Sequence, residues 1–195
     1  YTPSCLDTTL KPRGLGAWFL SLWPYYQDPA IMLCPASIAA PNPKPDYFNN
    51  RWRWEIKWWQ TTFPDLLNDP EVSQISGSYG ENWWITHSPS EDSATYPDQN
   101  KFKRVGVAGV SPASIPVMGD NGAFLARPTE ASNPPDNDGD YTHINGDEMR
   151  RICTDRHATG STNWVFADYS VLPVGLKQLW RTRWHKNWKP RTPAW

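Results

Sequence analysis

The stretch DRHATGSTNWVFADYSV, residues 155–171, decides how this chain is read. It carries Arg156, His157, Asn163 and Asp168, residue types that serve in catalytic and metal sites, inside a pattern with the marks of a hairpin. The Gly, Ser and Thr residues between His157 and Thr162 are turn chemistry. NWVFAD then alternates, with Trp164 and Phe166 on one face and Val165 and Ala167 on the other. Asp168-Tyr169-Ser170 reads as a second turn, and VLPV as a closing strand. A nucleophilic triad would need a Ser or Cys in a recognisable elbow, and no G-x-S-x-G is present. An Arg-His pair opening one turn, with Asp168 closing the next, accounts for the same residues without catalysis.

Downstream, GLKQLWRTRWHKNWKP sets Leu176, Trp180, Trp184 and Trp188 four residues apart, with Leu179 and Arg183 alongside. That spacing predicts an amphipathic helix over residues 175–189, with Lys177, Arg181, Lys186 and Lys189 off the apolar stripe and Pro190 as its stop. Upstream, Leu15, Trp18, Phe19 and Leu22 predict a short core helix ending near Pro24 or Pro29. IMLCPAS reads as a strand or extended piece, and SGSYGENWW as a turn entering a strand. VGVAGVSPASIPVMGDNG holds two strand candidates around a Ser-Pro loop. Residues 1–12 are a polar N-terminal segment, and residues 127–148 form a long acidic loop of the kind usually tied to function or held by something.

Only 38% of the 195 residues are apolar, yet there are 13 Trp and 20 Pro, so the core must be built from aromatic rings joined by short elements and long ordered loops. No repeat appears, and the length suits a single domain over residues 1–195. Nineteen basic residues against twenty acidic ones create no field that would recruit nucleic acid. No apolar run is long enough to cross a membrane. Three cysteines with no zinc spacing suit, in an exported protein, one bridge, and the preferred pair is Cys34 with Cys153.

Two further clusters carry chemistry. Asp136, Asp138 and Asp140 alternate as hard oxygen ligands do, which makes calcium the candidate cofactor. Tyr141 stands where an EF-hand loop needs glycine, and a solvated acidic loop explains the same residues. In RWRWEIKWWQ, Trp52, Trp54, Trp58 and Trp59 lie among cations, which suits stacking on sugar or single-stranded nucleic acid. A chain so poor in aliphatics needs its tryptophans for burial and subunit contact, so these four are read first as core or interface residues.

Taken together, residues 155–188 resemble the C-terminal signature of the prepilin-type "H-X9-DG" pilin-like proteins abundant in planctomycetes, which are similar to type IV pilins and type II secretion pseudopilins. In that signature an Arg-His pair is followed after about nine residues by Asp-Gly or Asp-Trp, with an Asn and a Phe between. Arg156, His157, Asn163, Phe166 and Asp168 match, although the interval here is ten residues and Tyr169 replaces the usual Gly or Trp. VGLKQLWRTRWH is similar to the ending of one branch. WFLSLWPYY before MLCPAS, SGSYGENWW, and IPVMGDNG at a strand ending in Asp fall in the family's order.

The resemblance implies an α+β pilin-like head with a small antiparallel sheet, and a structural role without enzymatic activity. Its partners would be copies of itself and other pilin-like subunits in an extracellular or periplasmic filament of an exported protein, and some relatives hold calcium in head loops. The long apolar N-terminal helix of pilins is missing from this sequence, so membrane contact is expected only through such a helix. A trimmed head, a cleaved head or another assembly route are the expectations left open. His157 and Asp168 are expected to fix the hairpin that turns Trp164 and Phe166 inward. In assembly the acidic loop at residues 136–140 is expected to meet a basic partner, for which Lys186, Lys189 and Arg191 are one candidate. The competing expectations are an adhesin-like module that stacks sugars on residues 52–59 and a hydrolase hidden among the polar loops.

Overall fold

The computed structural model describes residues 18–26, 28–38, 54–55, 76–85, 101–102, 109–135, 148–154, 156–157 and 160–193. Its centre is a five-stranded sheet in the order β5-β3-β4-β6-β7, where β3 is Tyr79–Asn82, β4 Pro116–Asp120, β5 Leu125–Ala126, β6 Ser161–Phe166 and β7 Val171–Gly175. β3, β4, β6 and β7 pair antiparallel in turn. The expected sheet was antiparallel throughout, but β5 lies parallel to β3. Two short strands, β1 (Trp54–Glu55) and β2 (Ser76–Gly77), form a separate antiparallel pair.

The alternation in NWVFAD becomes β6, with Trp164 and Phe166 buried and Val165 half-buried. β6 and β7 form a regular hairpin from Val165 opposite Val171 to Ser161 opposite Gly175. Phe166 N–H donates to Ser170 O at 2.8 Å. Alternation along the ladder then puts Pro173 at a position that makes no bond to β6, so its missing N–H costs the hairpin nothing.

The core is aromatic, as the composition requires. Trp83, Trp84, Trp164, Trp180, Trp184 and Trp188 are buried in one cluster with Met149, Ile152, Phe166 and Leu179. Trp164 and Trp184 meet edge to face with ring centroids 4.8 Å apart. Several buried indoles find acceptors: Trp84 Nε1–H donates to Pro128 O at 2.7 Å, and Trp18 Nε1–H to Phe124 O at 2.7 Å. Asn82 ties the layers together, donating to Pro116 O at 2.9 Å and Trp184 O at 2.8 Å.

The C-terminal helix expected over residues 175–189 is not formed. A five-residue 3-10 helix, Leu176–Trp180, is followed by turns. The burial pattern is nevertheless the one its spacing demands: Trp180, Trp184 and Trp188 are buried, and Lys177, Arg181, Lys186 and Lys189 are exposed. The backbone departs because its acceptors are taken. Leu179 O, which an α-helix would offer to Arg183 N–H, accepts the Trp184 indole and the Thr182 hydroxyl, each at 2.7 Å. Arg183 N–H turns instead to Ser114 O at 2.8 Å. Trp180 O accepts the Trp188 indole at 3.2 Å and Arg191 N–H at 3.0 Å. Tertiary donors outcompete the helical ladder.

The first helix, α1 (Trp18–Tyr26), ends between Pro24 and Pro29 as expected, with Trp18 and Phe19 buried and Leu22 of the expected stripe exposed. One other expectation changes. IMLCPAS is not a strand: a 3-10 helix at Pro29–Met32 leads to α2 (Pro35–Ile38). Pro29 and Pro35 each start a helical turn with φ already set, and the Asp28 side chain caps the first by accepting Ala30 N–H at 2.9 Å.

Candidate functional site

The residues of the opening stretch converge on a carboxylate that sequence reasoning had not singled out. Asp120 closes β4, opposite Tyr79 of β3, and is fully buried. Its Oδ1 accepts from Arg156 Nη1 at 3.1 Å; its Oδ2 accepts Asn163 N–H at 2.7 Å and lies 2.9 Å from His157 Nε2. The Asp120 backbone takes part as well, its carbonyl accepting Cys153 N–H at 3.2 Å.

Arg156 is the hub on the cationic side. Its side chain is entirely buried and donates to Ser78 O, to Asp120 Oδ1 and to Cys153 Sγ, the last at 3.0 Å. The guanidinium thus joins the turn between β2 and β3, the end of β4 and the segment before β6. A planar fork of fixed donors suits that task in a way lysine would not. Ser78 hydroxyl also accepts Cys34 N–H, which brings the start of α2 to the same point.

His157 is the solvent-facing member, its side chain 27% exposed against 1% for Asp120. Its Nε2 also lies 3.9 Å from Cys34 Sγ. Cys34, Asp120 and His157 therefore present sulfur, oxygen and nitrogen within 4.8 Å of one another. Tyr79 adjoins them. Burial, then the neighbouring Cys34 and Asp120, push its hydroxyl up to about 12, so it stays protonated.

The arrangement does not make a nucleophilic relay. A Cys-His-Asp relay uses one ring nitrogen toward the thiol and the other toward the carboxylate. Here Nε2 faces both groups, and a proton shared with Asp120 leaves it unable to accept one from Cys34.

The sequence-predicted residues divide accordingly. Arg156, His157 and the Asn163 backbone meet at Asp120, while Phe166 packs in the core. Asp168 is elsewhere, at the far end of β6, where it accepts Ser170 N–H at 3.0 Å and Ser170 Oγ–H at 2.7 Å. Those two bonds hold its exposed carboxyl below the usual range. Asp168 thus closes the second turn, as expected, while His157 finds its partner in Asp120, because β4 lies beside β6. The one signal for Asp120 was its place as the last residue of an apolar strand before Asn-Gly.

Cys34 and Cys153 are both buried thiols, and the expected bridge between them is not formed. Asp136, Asp138 and Asp140, and Trp52, Trp58 and Trp59, lie outside the described residues; Trp54 is described as backbone in β1 alone. Lys186, Lys189 and Arg191 are exposed. The backbone N–H of Lys189 donates to Glu130 Oε1 at 3.2 Å, and Arg191 Nη2 donates to the Glu130 carbonyl at 2.7 Å. Glu130 also accepts from the buried His185 at 3.1 Å. Among the described residues no helix is long and apolar enough to cross a membrane. No family model matches the chain, and neither curated proteins nor solved structures yield a match.

Proposed function

We propose that this chain is the pilin-like head of a non-catalytic structural subunit, exported and assembled with copies of itself into an extracellular or periplasmic filament. The observation that carries this reading is the use made of the Arg-His motif. Arg156, His157 and the Asn163 backbone N–H converge on one buried carboxylate at the junction of β3, β4 and β6, the part expected of a motif that builds a fold. The inward hairpin of Trp164 and Phe166 supports the same reading.

The edge of the sheet limits how copies could join. The outward-facing backbone donors of β7 belong to Val171, Pro173 and Gly175 by the alternation of the ladder. Pro173 has none, and Gly175 N–H is already taken by Gln178 Oε1 at 2.9 Å. A strand so blunted resists pairing with another chain, which favours assembly through side-chain surfaces over strand addition.

The reading frame upstream of Tyr1, together with immunogold labelling of the producing cells, tests the proposal. Expected are a basic leader ending in glycine, a Phe or Met start, an apolar stretch of about twenty residues, and label along surface filaments. A secretory signal directly before Tyr1, with label dispersed in the medium, would overturn it.

A further inference from the structure

We propose that Cys34, Asp120 and His157 form a zinc site that staples α2, β4 and the turn before β6 together. Three donor types meet there: Cys34 Sγ and His157 Nε2 are 3.9 Å apart, and His157 Nε2 and Asp120 Oδ2 are 2.9 Å apart. All three lie within 4.8 Å of one another. Tetrahedral zinc with ordinary bond lengths holds such donors about 3.3–3.6 Å apart, so His157 Nε2 must part from Asp120 by roughly 0.4 Å and Cys34 Sγ must close on Asp120 by up to about 1.3 Å, a side-chain adjustment at Cys34.

The chemistry of the donor set selects the metal. One thiolate, one imidazole and one carboxylate suit a borderline-soft ion; calcium and magnesium take oxygen alone. The fourth position is left to water. The outer hydrogen bonds a metal-bound carboxylate needs are already in place, from Arg156 to Oδ1 and from Asn163 N–H to Oδ2. A carboxylate has about four lone-pair positions, and zinc would take only the one now facing His157. On binding, the Cys34 thiol proton leaves to solvent, while the proton on His157 Nε2 moves to Nδ1 through solvent. The partial exposure of His157 supplies the entry path.

Zinc chloride titration of the purified, reduced chain, with a chromophoric chelator as competitor, tests the site. One equivalent is expected to bind and to raise the thermal midpoint, and cobalt chloride should give a thiolate-to-metal charge-transfer band. Cys34→Ser should abolish that band and weaken zinc binding by more than about 100-fold, beyond the loss an outer hydrogen bond causes. His157→Gln should weaken zinc comparably, with tryptophan fluorescence reporting that both variants remain folded. The cobalt spectrum of the unaltered chain keeps the test decisive should either variant unfold. Failure of the unaltered chain to take up either metal, or uptake that survives in folded Cys34→Ser, overturns the assignment. Neither outcome bears on the filament reading, which is judged by the leader and the labelling.

Discussion

Both ends of β6 are tied by an aspartate, and the two ties sit in opposite environments. At the start of the strand Asp120 is buried and shared among Arg156, His157 and Asn163. Beyond its end Asp168 is exposed and serves only the turn that it begins, through Ser170. Each accepts one backbone N–H, at 2.7 Å for Asp120 and 3.0 Å for Asp168, but Asp120 adds an ion pair with Arg156 where Asp168 adds only a hydroxyl. What also differs is the alternative each group has when the bond is lost: water replaces Ser170 for Asp168, whereas water does not reach a guanidinium with no exposed surface. The start of the hairpin should therefore govern stability and its end should hardly register.

The largest effect is expected from Asp120→Ala, which removes the carboxylate that balances the buried Arg156 guanidinium. A loss of about 3–5 kcal/mol in urea unfolding is the expected outcome. A loss below about 1 kcal/mol would mean that the buried tie does not outweigh the exposed one. Next comes Gly119→Ala, one residue earlier. A methyl group there would overlap the Trp164 ring and approach Asn163 O to 2.6 Å, forcing β4 away from β6. The expected cost is about 1–3 kcal/mol, and a neutral result would show the junction to be looser than its packing implies.

A pH scan probes a second buried contact outside the hairpin. Burial holds His185 below its ordinary 6.5, against the opposing pull of Glu130. The unfolded chain thus takes up a proton near pH 6.5 that the folded chain refuses until lower pH. Stability from this residue is present above that pH and lost as pH falls through the lowered value. Glu130 is the neighbouring titrating group. Burial pushes it up, but its backbone donors and His185 outweigh that and leave it below its ordinary 4.5, so its own contribution is lost further into acid. The thermal midpoint of the unaltered protein should decline below about pH 6.5. His185→Gln should flatten that decline, and an unchanged slope would remove His185 as its cause.

The smallest effects belong to the exposed turn. Tyr169 has φ 68, in the left-handed region, and is 88% exposed. Tyr169→Gly should raise stability by about 0.5–1 kcal/mol, because strain is relieved and no packing is lost. Asp168→Ala should lower the thermal midpoint least of all. If it rivalled Gly119→Ala, the contrast between the two ends would fail.

The turn also shows how a sequence pattern can be read in physical terms. The resembled signature has Gly or Trp after its Asp, and Tyr169 occupies that position at a φ that favours glycine. The hairpin itself was legible because alternation and turn chemistry are local. So was the partition of the C-terminal stripe, with Trp180, Trp184 and Trp188 inside and the lysines outside. The partner of Arg156 was not legible, since Asp120 lies 36 positions away in the chain and only strand pairing brings it near.

By itself, then, the sequence determined an aromatic core, a β6–β7 hairpin and which C-terminal side chains are buried, because burial follows from hydrophobicity and spacing. Tertiary structure alone decided the backbone beneath that burial and the destination of the buried charge. Trp184, Thr182 and Ser114 redirect the bonds a helix would have used, and β4 delivers Asp120 to Arg156. Hydrogen-bond partners are chosen by whatever folding brings within about 3 Å, and the one-dimensional pattern records no such proximity.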